Sequence, residues 1–128
     1  MLRMSTIIVI ITCINANAKR MDMKSTTRDT FKQDVLESKK IILLDVWAPF
    51  CAPCHGFMPI VEKIAEESKD WADVVKLDAS TEMDFAQELG VSGLPTFLAY
   101  KNGQIVGSIS GATTKEKVVD MLAKAKQA

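Results

Sequence analysis

This sequence has few of the residues that mark several common classes of protein. Its 16 Lys and Arg are balanced by 16 Asp and Glu, so it has no net positive charge with which to hold nucleic acid. No apolar run reaches the roughly 18 residues that a membrane-spanning helix needs. Three cysteines are too few for a disulfide-stapled mini-protein, and with one histidine they are a poor ligand supply for tetrahedral zinc. What is present is the composition of one globular domain, with 48% apolar and 25% charged residues among 128.

The beginning of the chain differs in composition from the rest. Arg3 and the α-amino group precede an almost wholly apolar run, which ends in Asn-Ala-Asn-Ala with small residues where a signal peptidase requires them. This order is typical of a secretory signal peptide. Residues 1–18 are therefore predicted to be a signal peptide and residues 19–128 the folded domain, periplasmic or secreted. Two alternatives stay open: a buried first strand, because β-branched residues dominate the run, and a cytoplasmic protein starting at Met21 or Met23.

Hydrophobic periodicity predicts alternating strands and helices over the rest of the chain. Residues 41–47 are apolar except for Asp45, which is typical of a strand covered on both faces. Asn102-Gly103 between two strand-like runs predicts a hairpin. The predicted order is β-α-β-α-β-α-β-β-α, an α/β sheet with helices on both faces. The other predicted strands are an edge strand at 21–24 and strands at 74–77, 96–100 and 105–109. The predicted helices lie at 29–38, from the cysteines to about Lys69, and between a cap at Ser80 or Thr81 and an end at Gly90. A last helix is predicted to turn Val118, Val119, Leu122 and Ala125 inward.

Cys51 and Cys54 lie where the predicted buried strand meets the following helix. Two cysteines at this spacing on a helix start can close a small disulfide ring with little movement of the backbone. The unpaired N–H groups and the dipole of the helix favour a thiolate at its N-terminus. This lowers the pKa expected for Cys51 and makes it the expected nucleophile, while Cys54 is placed to resolve a mixed disulfide. The alternative, two inert buried thiols, fits a strand–CxxC–helix arrangement poorly.

The sequence WAPFCAPC at residues 47–54 resembles the active-site signature of the thioredoxin family, and the similarity extends over about residues 21–126. Residues 93–96 (Gly-Leu-Pro-Thr) are similar to the family's loop whose proline is cis and faces the cysteines. Asp45 matches the family's buried acid, and Lys76 matches the lysine near it. The resemblance implies a thioredoxin fold, a central mixed β-sheet flanked by helices on both faces. It also implies a protein-disulfide reductase that works through a reversible dithiol and needs no cofactor.

The resemblance also assigns roles to individual residues. Desolvation should raise the pKa of Asp45 towards neutrality, so that this carboxyl can exchange a proton with a thiol; the alternative is a carboxylate satisfied by Lys76 and the backbone. The catalytic residues expected are Cys51, Cys54 and Asp45, with a Cys51–Cys54 disulfide. Expected to support them are Pro95, Lys76, Trp47, Pro53 and His55. The residues expected to contact the substrate are Phe50, Ala52, Gly93, Leu94, Pro95 and Gly111.

Three residues depart from the common family pattern: Phe50 replaces a tryptophan, Ala52 a glycine and His55 a lysine. The last change creates C-x-x-C-H, which is also the attachment signature of c-type haem, with Met58 or Met83 as the second axial ligand. Two further alternatives are an exported thiol–disulfide oxidase or isomerase and a non-catalytic binding module with the same fold.

The expected partners are protein disulfides and an electron donor. The donor would be thioredoxin reductase in the cytoplasm, or a membrane thiol-transfer protein if the chain is exported. We expect a monomer that binds neither nucleic acid nor metal.

Overall fold

A five-stranded mixed β-sheet forms the centre of the protein. The computed structural model describes residues 23–128, and the predicted signal peptide and the alternative start at Met21 lie outside them. The strands are β1 (Lys24–Thr26), β2 (Ile41–Trp47), β3 (Ala72–Asp78), β4 (Thr96–Lys101) and β5 (Gln104–Ser110). They lie in the order β1-β3-β2-β4-β5. The first three of these pair in parallel, and β4 and β5 are antiparallel to their neighbours.

Four helices cover the two faces of this sheet. They are α1 (Lys32–Leu36, a π-helical turn), α2 (Ala52–Glu67), α3 (Met83–Glu88) and α4 (Lys115–Gln127). One apolar cluster contains Val35 of α1 and Phe85 of α3, and a second contains Ile64 of α2 and Leu122 of α4. The predicted element order and the thioredoxin fold are both confirmed. None of the helices within residues 23–128 is long and apolar enough to cross a membrane.

The position of β2 in the middle of the sheet explains its nearly continuous apolar sequence. Its first six residues are buried, and it pairs with β3 on one side and β4 on the other. Alternate side chains of a strand point to opposite faces. Ile42 and Leu44 therefore pack in the cluster that contains α1 and α3, and Ile41 and Leu43 in the cluster that contains α2 and α4. By the same alternation, the side chain of Asp45 points to the face that α2 covers.

The turns that carry strong local signals lie where the sequence predicts them. Asn102 and Gly103 both have positive φ, 52° and 79°, which is the backbone that a tight two-residue hairpin requires. Gly90, with φ of 92°, follows the C-terminal end of α3. The hairpin joins β4 to β5 and thereby sets the antiparallel edge of the sheet.

Two finer predictions about where elements begin are wrong. The edge strand lies at Lys24–Thr26 rather than 21–24, because it pairs with Val75 to Leu77 of β3. The N-cap of α3 is Glu82, not Ser80 or Thr81, because the hydroxyl and the amide of Ser80 donate to the carboxylate of Asp78 instead.

The inward face of α4 also differs by one residue from the prediction. Val119 is 41% exposed, and Met121 is buried in its place. The reason lies in β5, because a Cβ atom at Gly107 would lie 2.6 Å from the Cγ atom of Met121. The absence of a side chain at Gly107 makes the space that Met121 fills.

Candidate active site

The two cysteines lie at the point where the chain leaves the sheet and enters α2. Cys51 is the N-cap residue of the helix, and its Sγ accepts a hydrogen bond from the backbone N–H of Cys54 at 3.2 Å. The two residues form a disulfide, with their Cα atoms 5.3 Å apart. Pro53 lies in the first turn of α2, where a missing backbone N–H costs the helix no hydrogen bond. Both cysteines are buried, so only a closely docked disulfide can reach them.

Asp45 is a buried carboxyl on the central strand. It is 2% exposed, and burial raises its pKa from 3.8 to about 7, against the opposing effect of the Lys76 charge. Lys76 is the register partner of Asp45 on β3, and its Nζ lies 5.1 Å from the centre of the Trp47 ring. The structure therefore brings the acid, the lysine and the tryptophan together. A carboxyl with this pKa can both accept and return a proton near neutral pH.

The loop before β4 packs directly against the cysteines. The Leu94–Pro95 peptide bond is cis, and Leu94 packs on the cluster formed by Ala48 and the two cysteines. The carbonyl of Pro95 accepts a hydrogen bond of 2.7 Å from the N–H of Gly111, which follows β5. The hydroxyl of Thr96 donates to the carbonyl of Gly93. Gly93 and Pro95 thus lie in the loop that contacts the cysteines through Leu94, and Gly111 is hydrogen-bonded to that loop.

An apolar surface lies beside the cysteines. Phe50 is 74% exposed, immediately before Cys51. It borders a surface depression of about 170 Å³ that is also lined by Met83, Gln87 and Leu94. Met83, the first residue of α3, is 55% exposed. From the sequence, Met83 was expected only as a possible haem ligand. Its place between Glu82 and Asp84 at the start of a helix is the signal that could have indicated its exposure.

His55 lies on the other side of the cysteine loop. Its Nε2 lies 2.7 Å from the carbonyl oxygen of Pro49, and its ring meets the ring of Trp47 edge-on at 6.0 Å between centroids. The side chains of Ala52 and Pro53 are exposed at the surface between these contacts. Within residues 23–128, no group of three or more His, Cys, Asp or Glu side chains has an arrangement suited to a metal ion.

Comparisons with a family model and with individual proteins identify the same family. The thioredoxin family model matches residues 22–124. Thioredoxin 1 of Synechococcus elongatus is 38% identical over 100 residues, which are 78% of this chain and 94% of that protein. The chloroplastic M-type thioredoxin of Chlamydomonas reinhardtii is 38% identical over 105 residues, 82% of this chain and 75% of that protein. Thioredoxin of Pyropia yezoensis is 35% identical over 104 residues, 81% of this chain and 97% of that protein.

Proposed function

Because the chain belongs to the thioredoxin family, we propose that Cys51 is the nucleophile and Cys54 the resolving thiol of its active site. The protein is a thiol–disulfide oxidoreductase that reduces protein disulfides. The observation that carries the proposal is the disulfide between the N-cap residue of α2 and a residue in the first turn of that helix. This pairing and the relatives named thioredoxin favour a redox-active dithiol over a c-type haem protein. Reduction of insulin disulfides, with dithiothreitol as the electron donor, tests the function directly.

The reaction proceeds by two thiol–disulfide exchanges. The Cys51 thiolate attacks one sulfur of the client disulfide, so that a mixed disulfide forms and the other client sulfur leaves as a thiolate. The Cys54 thiolate then attacks the Sγ of Cys51, which closes the Cys51–Cys54 disulfide and releases the second client thiolate. Two electrons pass from the dithiol to the client. An electron donor must then reduce the Cys51–Cys54 disulfide before the next cycle.

Asp45 is the group that we assign to proton transfer in the second exchange. Cys54 must lose its proton before it can attack, because the thiolate is the reactive form. Asp45 points to the face covered by α2, the helix that carries Cys54, and its pKa of about 7 suits a base that works near neutral pH. Lys76 and Trp47 support it, since the Lys76 charge moderates the pKa and the Trp47 ring packs against the cysteine cluster.

Client proteins dock, in this proposal, on the apolar surface around the disulfide. Leu94 packs on the cysteines, with Gly93 and Pro95 beside it in the same loop and Gly111 hydrogen-bonded to that loop. Ala52 lies between the two cysteines in the sequence, and Phe50 and Met83 extend the surface towards α3. Large exposed apolar side chains beside a reactive group indicate a contact surface for a partner protein.

Met83→Ser should weaken docking of a protein client while leaving the chemistry of the cysteines intact. Met83 is about half exposed, so its contact with a client is worth roughly 1 kcal/mol. We expect KM for insulin to rise by about fivefold with kcat unchanged, and the rate with glutathione disulfide, which is too small to reach Met83, to stay constant. Val119→Ser is the matched control, because Val119 is exposed on α4. An unchanged KM for Met83→Ser, or an equal rise for Val119→Ser, would contradict this docking surface.

Export of the protein would leave a defined new N-terminus. We propose that residues 1–18 are removed as a signal peptide, so mass spectrometry of the protein from its native cells should find an N-terminus at Lys19. The electron donor would then be a membrane thiol-transfer protein. A chain that begins at Met21 or Met23 would contradict export and would indicate a cytoplasmic protein reduced by thioredoxin reductase. In either compartment we propose that the protein acts as a monomer.

A further inference from the structure

The one histidine of the chain links the start of α2 to the loop before it. The Nε2 atom of His55 lies 2.7 Å from the carbonyl oxygen of Pro49, six residues earlier. A carbonyl oxygen only accepts hydrogen bonds, so Nε2 must carry the proton and donate. The neutral ring protonated at Nε2 and the positively charged ring can both make this bond. The contact therefore does not depend on the charge of the imidazole.

Two further contacts join His55 to the same loop. The backbone N–H of His55 donates to the carbonyl of Cys51 at 3.2 Å, within the first turn beyond the N-cap. The imidazole ring also packs edge-on against Trp47, the last residue of β2. His55 thus contacts the loop near its beginning, at its middle and at its end. Pro49 is two residues from Cys51 and adjacent to Phe50, the most exposed large apolar residue of the described chain.

We propose that His55 is a positioning residue that holds the loop of residues 48–51 against α2 while the cysteines are in the dithiol form. The inference rests on the proposed function, because the dithiol is the form that attacks a client. In the disulfide form, the Cys51–Cys54 bond already ties the loop to the helix. After reduction this covalent link is gone, and the hydrogen bond from His55 to Pro49 continues to restrict the loop. By keeping Cys51 close to Cys54 in the geometry of the disulfide form, the bond raises the effective concentration of the two thiols and so favours closure of the disulfide.

This role differs in a measurable way from a purely electrostatic one. A positively charged imidazole near Cys51 would stabilise its thiolate, and that effect would disappear at high pH, where histidine side chains are neutral. Lys76, Asp45 and Asp78 are the ionisable residues that the sheet register and the Trp47 ring bring near this position, and they are the same in every His55 variant. A hydrogen bond from Nε2 persists at high pH. The effect of removing His55 should consequently be the same at pH 6 and at pH 9.

The test is the equilibrium of the full-length protein with reduced and oxidised glutathione. His55→Phe keeps a ring beside Trp47 but has no donor, whereas His55→Gln keeps an N–H donor at a similar distance and has no charge. For His55→Phe we expect the equilibrium to shift towards the dithiol by about two- to tenfold, the usual effect of one hydrogen bond, at both pH values. For His55→Gln we expect a value within about twofold of the wild type.

Unfolding by urea in each redox state provides a second measurement on the same variants. His55→Phe should lower the stability of the disulfide form more than that of the dithiol form, because the loop of the dithiol form can relax into other positions. An unchanged glutathione equilibrium, a shift that vanishes at pH 9, or an equal shift for His55→Gln would each overturn the proposal. The proposed function fails separately, because a wild-type protein unable to reduce insulin would still have a measurable equilibrium with glutathione.

Discussion

Cys51→Ser is expected to reduce insulin no faster than the uncatalysed reaction with dithiothreitol. A serine hydroxyl stays protonated at neutral pH, so the variant has no thiolate at the N-cap of α2 with which to attack a disulfide. Cys54→Ser should behave differently, because Cys51 can still attack but nothing resolves the product. That variant should accumulate a mixed disulfide with its client, visible as a covalent adduct on non-reducing gels and in mass spectra.

The third cysteine of the chain supplies the matched control. Cys13→Ser, introduced into the chain that keeps residues 1–18, makes the same chemical change outside residues 23–128 and should leave insulin reduction unchanged. Full activity of Cys51→Ser, or an adduct formed through Cys54 instead, would show that the nucleophile is misassigned. The adduct also separates a catalyst from a binding module, since a module that only holds clients does not become covalently attached to them.

Asp45→Asn should slow resolution of the mixed disulfide by about ten- to a hundredfold or more near neutral pH. Asparagine fills nearly the same space but cannot accept the proton of Cys54. The wild-type rate of resolution should rise with pH through about 7, where the buried carboxyl ionises, and the variant should lack this step. Stopped-flow measurements from pH 5 to 9 would follow both proteins. If Asp45→Asn resolves at the wild-type rate and His55→Ala is slow, the proton transfer belongs to His55.

The same substitution should change how stability depends on pH. The pKa of Asp45 is raised from 3.8 to about 7 on folding, so between these values the folded protein holds a proton that the unfolded chain releases. The contribution of Asp45 to the free energy of unfolding is therefore complete below pH 4 and is lost as pH rises through 7. The loss is on the order of 4 kcal/mol, from the conversion of pKa shifts into free energy.

Asp45→Asn removes this dependence, so the variant should be more stable than the wild type at pH 8, by an amount that shrinks towards pH 5. Asp70→Asn is the matched control, because Asp70 is exposed and should change stability little at either pH. Urea unfolding at the two pH values measures the difference. Parallel stability curves for Asp45→Asn and the wild type would contradict a buried, protonated Asp45.

The sequence contained enough information for the order of the elements and for much of the active site. Strands and helices follow from local periodicity, and the turn at Asn102-Gly103 follows from the backbone that those residues tolerate. The site of Cys51 and Cys54 follows from their spacing at a helix start, and the environment of Asp45 from its apolar neighbours along one strand. These features depend on residues close together in the chain, so a linear pattern is sufficient to find them.

Two of the predictions that failed depended on which neighbour a segment meets. The edge strand begins at Lys24 because β3 sets its register, and Met121 replaces Val119 in the core because Gly107 leaves space on β5. Local periodicity carries no information about the strand or helix on the other side of a contact.

By itself, then, the sequence determined the element order, the dithiol at a strand–helix junction and the buried acid behind it. Only the tertiary structure decided two further neighbours of the dithiol: Met83 beside Phe50, and the imidazole of His55 on the carbonyl of Pro49. The physical reason is that these contacts join residues far apart in the sequence or depend on the direction in which the chain turns. The sheet order brings together loops far apart in the sequence, and the path of the loop into α2 determines which carbonyl the histidine can reach.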